Sequence, residues 1–60
     1  MNNEKIRAEL IKALANTTQF KCAVESGVSI PTIQTFIAGK KVSQTTLEKF
    51  NKWIESNKGR

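Results

Sequence analysis

A glycine and a proline four residues apart divide the middle of this chain and restrict its fold more than any other feature. Gly27 can enter the left-handed backbone conformation at little steric cost, so it is well suited to end a helix. The amide protons in the first turn of a helix have no acceptor within that helix. Pro31 has no amide proton, so it is well suited to the start of a helix. Ser29 precedes it and is a favourable N-cap. We therefore expect a sharp turn between two short helices.

Apolar residues recur at helical spacing on both sides of this turn and predict four helices. The predicted helices run from about residue 3 to 15, from a cap at residue 18 to 26, from 30 to 38, and from a cap at residue 43 or 45 to 56. Thr18 is the best cap for the second helix, and Ser43 or Thr45 caps the fourth, where Thr45 and Glu48 have the spacing of a capping box. No segment alternates with period two, so the predicted fold class is an all-α, four-helix domain.

The chain is short and basic, with 60 residues and a formal net charge of +5. This length allows one domain at most, residues 1–60. An excess of positive charge on so small a chain indicates a polyanionic partner, either nucleic acid or an anionic membrane surface. The charge alone does not choose between these two.

The cysteine content and the hydropathy pattern bear on location. Cys22 is the single cysteine and has no partner for an intramolecular disulfide, which favours a reducing cytoplasm. No apolar run approaches the roughly 18 residues of a membrane span, and residues 1–12 lack the apolar core of a signal peptide. We expect a soluble cytoplasmic protein that does not bind membranes.

The segment Gln19 to Ala38 carries the pattern on which the functional prediction depends. Two helices that meet at a steep angle need a small residue where they approach, a glycine at the turn and apolar side chains that lock the angle. Six positions meet these needs: Cys22, Ala23, Gly27, Val28, Ile33 and Phe36. The segment, about residues 18–38, resembles the helix-turn-helix of the phage repressor and Cro family, the lambda-repressor-like DNA-binding domains. The following Gly39-Lys40-Lys41 is similar to the family's link into its fourth helix.

The resemblance implies a sequence-specific transcriptional regulator of bacterial or phage origin that places its third helix in the major groove of double-stranded DNA. The base-contacting positions that it implies are Ile30, Pro31, Gln34 and Thr35. Gln34 is the clearest reader, because a side-chain amide pairs in two places with adenine, and the methyl groups of Ile30 and Thr35 suit thymine methyls. The phosphate-contacting positions that it implies are Thr18, Gln19, Lys21, Ser29, Thr32, Lys40 and Lys41.

Two features depart from the family pattern. The fold is expected to lack the fifth helix through which some relatives dimerise. Ile30 and Pro31 stand where relatives often carry polar readers, so methyl contacts and DNA shape are expected to matter more. A possible homodimer would use apolar residues of the second and fourth helices: Phe20, Val24, Trp53 and Ile54.

These apolar residues also have structural interpretations. Phe20 and Val24 lie on one face of the second helix, where the family usually has polar residues, and packing against the first or fourth helix is the favoured interpretation. A subunit interface is the alternative, because an exposed apolar patch usually has a partner. Trp53 shares its helical stripe with Leu47 and Phe50, so the core is its favoured place.

Enzyme chemistry is not expected of this chain. It has no histidine or tyrosine, five carboxylates on predicted solvated faces and no glycine-rich phosphate loop. Cys22 is expected to be a buried small apolar residue, and we predict no metal, no other cofactor and no small-molecule substrate. Two other functions stay open, namely an accessory factor that bends DNA in recombination or excision, and a protein-docking module such as an antirepressor or antitoxin.

Overall fold

The computed structural model describes residues 2–58, so Met1 and residues 59–60 of the predicted domain lie outside the described part. The fold consists of four helices: α1 (Asn3–Leu14), α2 (Gln19–Ser26), α3 (Ile30–Ile37) and α4 (Gln44–Lys58). No strand occurs among residues 2–58. The prediction of an all-α, four-helix domain is confirmed. Helices α1 and α3 end one residue earlier than predicted, and α4 continues two residues further.

Side-chain caps mark the start of three helices. Asn2 and Thr18 each accept a hydrogen bond at 3.1 Å from the amide three residues further on. Ser43 accepts the corresponding bond for α4 at 3.2 Å. Because Ser43 takes this role, Thr45 lies inside the helix, and the capping box predicted for Thr45 and Glu48 does not define its start.

The turn between α2 and α3 follows the glycine and proline pattern. Gly27 adopts the left-handed conformation, with φ 77° and ψ 18°, and its amide donates to the Ala23 carbonyl at 2.9 Å. Ser29 holds the N-cap position of α3 and Pro31 lies in its first turn. The Ser29 hydroxyl hydrogen-bonds the Thr32 hydroxyl at 2.9 Å and caps no amide. The predicted turn is therefore confirmed, but Ser29 does not act as a side-chain cap.

A second glycine ends α3. Gly39 has φ 105°, and its amide donates to the Phe36 carbonyl at 3.1 Å. The Lys40 amide donates to the Thr35 carbonyl at 3.2 Å. These two bonds form a Schellman motif, which satisfies carbonyls that the helix end leaves without intrahelical donors.

One apolar core joins all four helices. Its buried members are Ile6, Leu10, Cys22, Val28, Ile33, Phe36, Leu47, Phe50, Trp53 and Ile54. The rings of Phe36 and Phe50 stack with centroids 4.9 Å apart and an interplanar angle of 21°. Such a pair contributes about 0.5–1.5 kcal/mol beyond the burial of its surface. The core contains the apolar positions of the helix-turn-helix segment, with Ala23 packed against it.

Hydrogen bonds of two side chains tie helices together at the rim of this core. The Trp53 indole Nε1 donates to Glu25 Oε1 at 2.8 Å and links α4 to α2. Arg7 of α1 donates from Nε to the Phe36 carbonyl at 2.6 Å and from Nη2 to the Lys40 carbonyl at 3.1 Å. Its guanidinium carbon also lies 4.7 Å from the centroid of the Phe36 ring, in cation–π range.

The left-handed conformation of Gly27 leads to a stability prediction. Gly27→Ala should lower the free energy of unfolding by about 1 kcal/mol, because a Cβ atom is unfavourable at positive φ. No steric clash contributes, since no neighbouring atom lies within 4 Å of the added Cβ. Gly27→Asn is the matched control and should cost less, because asparagine tolerates this conformation. Urea denaturation followed by circular dichroism measures both, and an alanine variant as stable as the wild type would contradict the left-handed turn.

Candidate functional site

The outward face of α3 is a row of exposed residues spaced three and four apart. This row consists of Pro31, Gln34, Thr35 and Ala38. On the opposite face Ile33 and Phe36 are fully buried. Gln34 and Thr35 each lie three or four residues from both Pro31 and Ala38, so the four side chains flank one line along the helix and project from the same side of the domain. Three of the four predicted base-contacting residues are therefore exposed, and Ile30 lies half-buried at the helix start.

Hydrogen bonds in α3 and at its N-cap determine which hydroxyl protons and oxygen acceptors remain available to a ligand. Thr35 Oγ1 donates to the Pro31 carbonyl at 2.8 Å, so its proton is used inside the helix. What remains is an oxygen acceptor and a methyl group. Ser29 and Thr32 share one hydrogen bond between their hydroxyls, so one proton of this pair remains for an outside acceptor. Thr35 is therefore suited to a base edge, and the Ser29–Thr32 pair to an anion.

The other predicted phosphate-contacting residues lie in two places. Thr18, Gln19 and Lys21 lie at the start of α2, where Lys21 is exposed and Gln19 half-buried. Thr18 Oγ1 accepts the Lys21 amide, so its own proton is not used in that bond. Lys40 and Lys41 are exposed directly after α3. The first place lies at the start of the helix-turn-helix and the second directly after it, and both present donors or cations to solvent.

The acidic residues are distributed unevenly along the chain, which is a signal that the helix-turn-helix pattern does not include. The carboxylates are Glu4, Glu9, Glu25, Glu48 and Glu55, and residues 26–47 contain none. This acid-free segment includes all of α3 and both of the lysines that follow it. An anionic ligand at α3 would therefore meet no carboxylate from this segment, which keeps the local electrostatic potential favourable.

Sequence reasoning missed Arg7, which is half-buried and contacts the end of α3. A weak signal was present, because Arg7 precedes Leu10 by three residues and Leu14 by seven, so it borders the apolar stripe of α1. It also missed the hydrogen bond between Glu25 and Trp53, for which the spacing of residues contains no signal.

The predicted dimer surface has to be corrected. Trp53 and Ile54 are only 5% and 3% exposed, because they pack into the core between the helices, so they are not available to a second chain. Phe20 and Val24 are each 68% exposed. The favoured expectation that these two pack against α1 or α4 is therefore wrong, and they remain an apolar pair on the outer face of α2.

Cys22 occupies the core of α2 with 0% exposure, as predicted for a small apolar residue. Burial raises the pKa of its thiol above the ordinary value, and the nearby Glu25 carboxylate adds to this increase. A hydrogen bond with Ser26 acts in the opposite direction but does not cancel it. Because the thiolate is the reactive form, these surroundings make Cys22 a poor nucleophile.

None of the helices in residues 2–58 combines the length and the apolar character that crossing a bilayer requires. Comparison with protein-family models, with curated proteins and with solved structures found no match to this chain.

The raised pKa of Cys22 predicts a loss of stability in alkaline solution. The folded state keeps the thiol proton at a pH where the unfolded chain releases it, so the contribution is complete below about pH 8 and falls as the pH rises toward the folded pKa. Cys22→Ala should remove this part of the pH dependence. Urea denaturation at a series of pH values measures it, and equal slopes for wild type and variant would refute the assignment.

Proposed function

We propose that this chain binds double-stranded DNA sequence-specifically, with α3 in the major groove, and regulates transcription. The main support is the two-sided character of α3, in which Gln34 and Thr35 are exposed while Ile33 and Phe36 anchor the helix in the core. The eight residues of α3 extend about 12 Å, which is comparable to the width of the major groove.

Base recognition is proposed for the outward face of α3. The Gln34 amide carries a donor and an acceptor on one flat group, which matches the N6 and N7 positions of adenine. Thr35 contributes a methyl group, suited to the thymine methyl, and an acceptor. Pro31 and Ile30 add apolar surface at the start of the helix, where contact with methyl groups and with groove shape would select sequence.

Phosphate binding is proposed for the two ends of α3. No side chain caps the amides at its N-terminus, where the helix dipole is positive, and the Ser29–Thr32 pair has one hydroxyl proton to donate. Lys40 and Lys41 supply cations beyond the other end. Groups at both ends of the helix would contact the sugar-phosphate backbone on either side of the groove and so orient α3.

So small a surface would bind a single half-site with modest affinity. We therefore expect two copies on half-sites about one helical turn apart, either as a dimer or by cooperative binding. The exposed pair Phe20 and Val24 is the remaining candidate for contact between copies.

The exposed pair Phe20 and Val24 favours a second function. Phe20 and Val24 lie four residues apart on one face of α2 and are each 68% exposed, so they offer apolar surface that another protein would cover. The chain would then act as a protein-docking module, and its basic charge would have no role in specificity.

A salt titration separates these two functions. The association constant for a random-sequence duplex should fall as the salt concentration rises. A plot of its logarithm against the logarithm of the salt concentration should have a slope of about −3, because Lys21, Lys40 and Lys41 would contact phosphates. Fluorescence anisotropy with labelled duplex at several salt concentrations measures the slope. Failure to bind duplex even at low salt would overturn the DNA proposal and favour docking.

Two substitutions test the division between base and phosphate contacts. A preferred site is first selected from a random DNA pool. Gln34→Ala should then reduce the preference for that site over random duplex by about 5- to 100-fold, because a bidentate base contact is lost. Lys40→Ala is the comparison variant and should weaken both duplexes alike and make the salt slope shallower by about 1. Equal weakening of both duplexes by Gln34→Ala would contradict direct readout.

A further inference from the structure

Arg7 makes three contacts with the C-terminal end of α3 through one guanidinium group. It donates to the Phe36 carbonyl at 2.6 Å and to the Lys40 carbonyl at 3.1 Å, and it lies over the Phe36 ring. A guanidinium is planar and carries several donors in fixed directions, so it can hold two carbonyl groups at once. Arg7 comes from α1, 29 and 33 residues away along the chain.

These contacts restrain the backbone that leads out of α3. The amide of Lys40 is held by the Thr35 carbonyl, and the carbonyl of Lys40 is held by Arg7. The residue is therefore bonded on both sides of its Cα atom, and the peptide unit that links it to Lys41 has a set orientation. The side chains of Lys40 and Lys41 are nevertheless exposed.

We propose that Arg7 is a positioning residue for DNA binding, which holds the Lys40–Lys41 segment beside α3 so that both lysines face the DNA backbone. This inference depends on the DNA binding proposed above. Arg7 is half-buried, and its Nε and Nη2 atoms donate to carbonyls of its own chain, so we assign its effect to the two lysines that it positions.

The physical basis is conformational entropy. Ordering a residue of a mobile segment costs conformational entropy, and a lysine on such a segment would incur this cost when DNA binds. Arg7 orders the segment during folding instead. Its positive charge is also favourable at the negative end of the helix dipole of α3, which stabilises the restraint.

The test compares Arg7→Lys in two backgrounds. The variant keeps the charge but has no planar fork of donors. Random-duplex affinity, measured by fluorescence anisotropy, should fall about fivefold in the wild-type background. In the Lys40→Ala/Lys41→Ala background it should change less than about twofold, because no lysine remains to be positioned. Lys12→Arg, the reverse exchange at an exposed site of α1, is the matched control and should leave affinity unchanged.

A measurement on the free protein tests the restraint itself. In Arg7→Lys the ¹⁵N heteronuclear NOE of the Lys40 and Lys41 amides should decrease, which reports greater backbone mobility on the ps–ns timescale. The amides of α2 should keep their wild-type values. Unchanged values at Lys40 and Lys41 would overturn the inference whether or not DNA binds.

The outcomes separate the two proposals. If wild type binds duplex but Arg7→Lys lowers affinity by the same factor in both backgrounds, the positioning role is wrong and the DNA function stands. If wild type binds no duplex, the proposed function fails, and the positioning role fails with it even where the NOE decreases. Should circular dichroism show that Arg7→Lys does not fold, Arg7→Met keeps an apolar stem over Phe36. Lys12→Met then controls for the lost charge.

Discussion

Phe36 is the side chain on which the arrangement of the helices depends. It is fully buried, its ring stacks on Phe50 of α4, and the guanidinium of Arg7 from α1 lies over it. Its carbonyl accepts hydrogen bonds from both Arg7 and the Gly39 amide. One residue of α3 thus joins three helices through ring packing, a cation–π contact and the backbone. The direction in which α3 presents Gln34 follows from this anchor.

A chain of this size has little apolar surface to bury. The side-chain hydrogen bonds that link its helices lie where desolvation of the charged groups costs the least free energy. Among residues 2–57, no polar or charged residue is buried. The links of Arg7 to α3 and of Glu25 to Trp53 lie at the rim of the core, where each charged group keeps part of its hydration. This avoids the desolvation penalty of a buried charge, while each bond still fixes one helix against another. The polar groups therefore fix the orientation of the helices, and burial of the apolar core holds the helices together.

The proposed interface combines this rigid support with residues that are free of acidic neighbours along the chain. α3 is short, but its ends are defined by Gly27 and Gly39, and its inner face is held by the core. A helix held in this way would bind the proposed DNA site without first having to order itself. Phe20 and Val24 stand apart from this design, since they support neither the core nor α3, and contact with another molecule would account for them.

What the sequence determined by itself is local. Helix positions, the cap at Thr18 and the turn at Gly27 could be predicted, because capping, glycine conformation and apolar spacing act within a few residues. The exposed face of α3 could be predicted for the same reason, since Gln34 and Thr35 lie opposite the apolar stripe of that helix.

Only the tertiary structure decided which apolar faces find a neighbour and which polar groups meet across the chain. The apolar stripes predicted on α2 and α4 are similar in character, but Trp53 of α4 is covered by the core and Phe20 of α2 is exposed. The partners of Arg7 lie 29 and 33 residues away. Such contacts depend on how the helices pack against one another, and helix packing depends on the shapes of whole surfaces, which residue spacing within one helix does not specify.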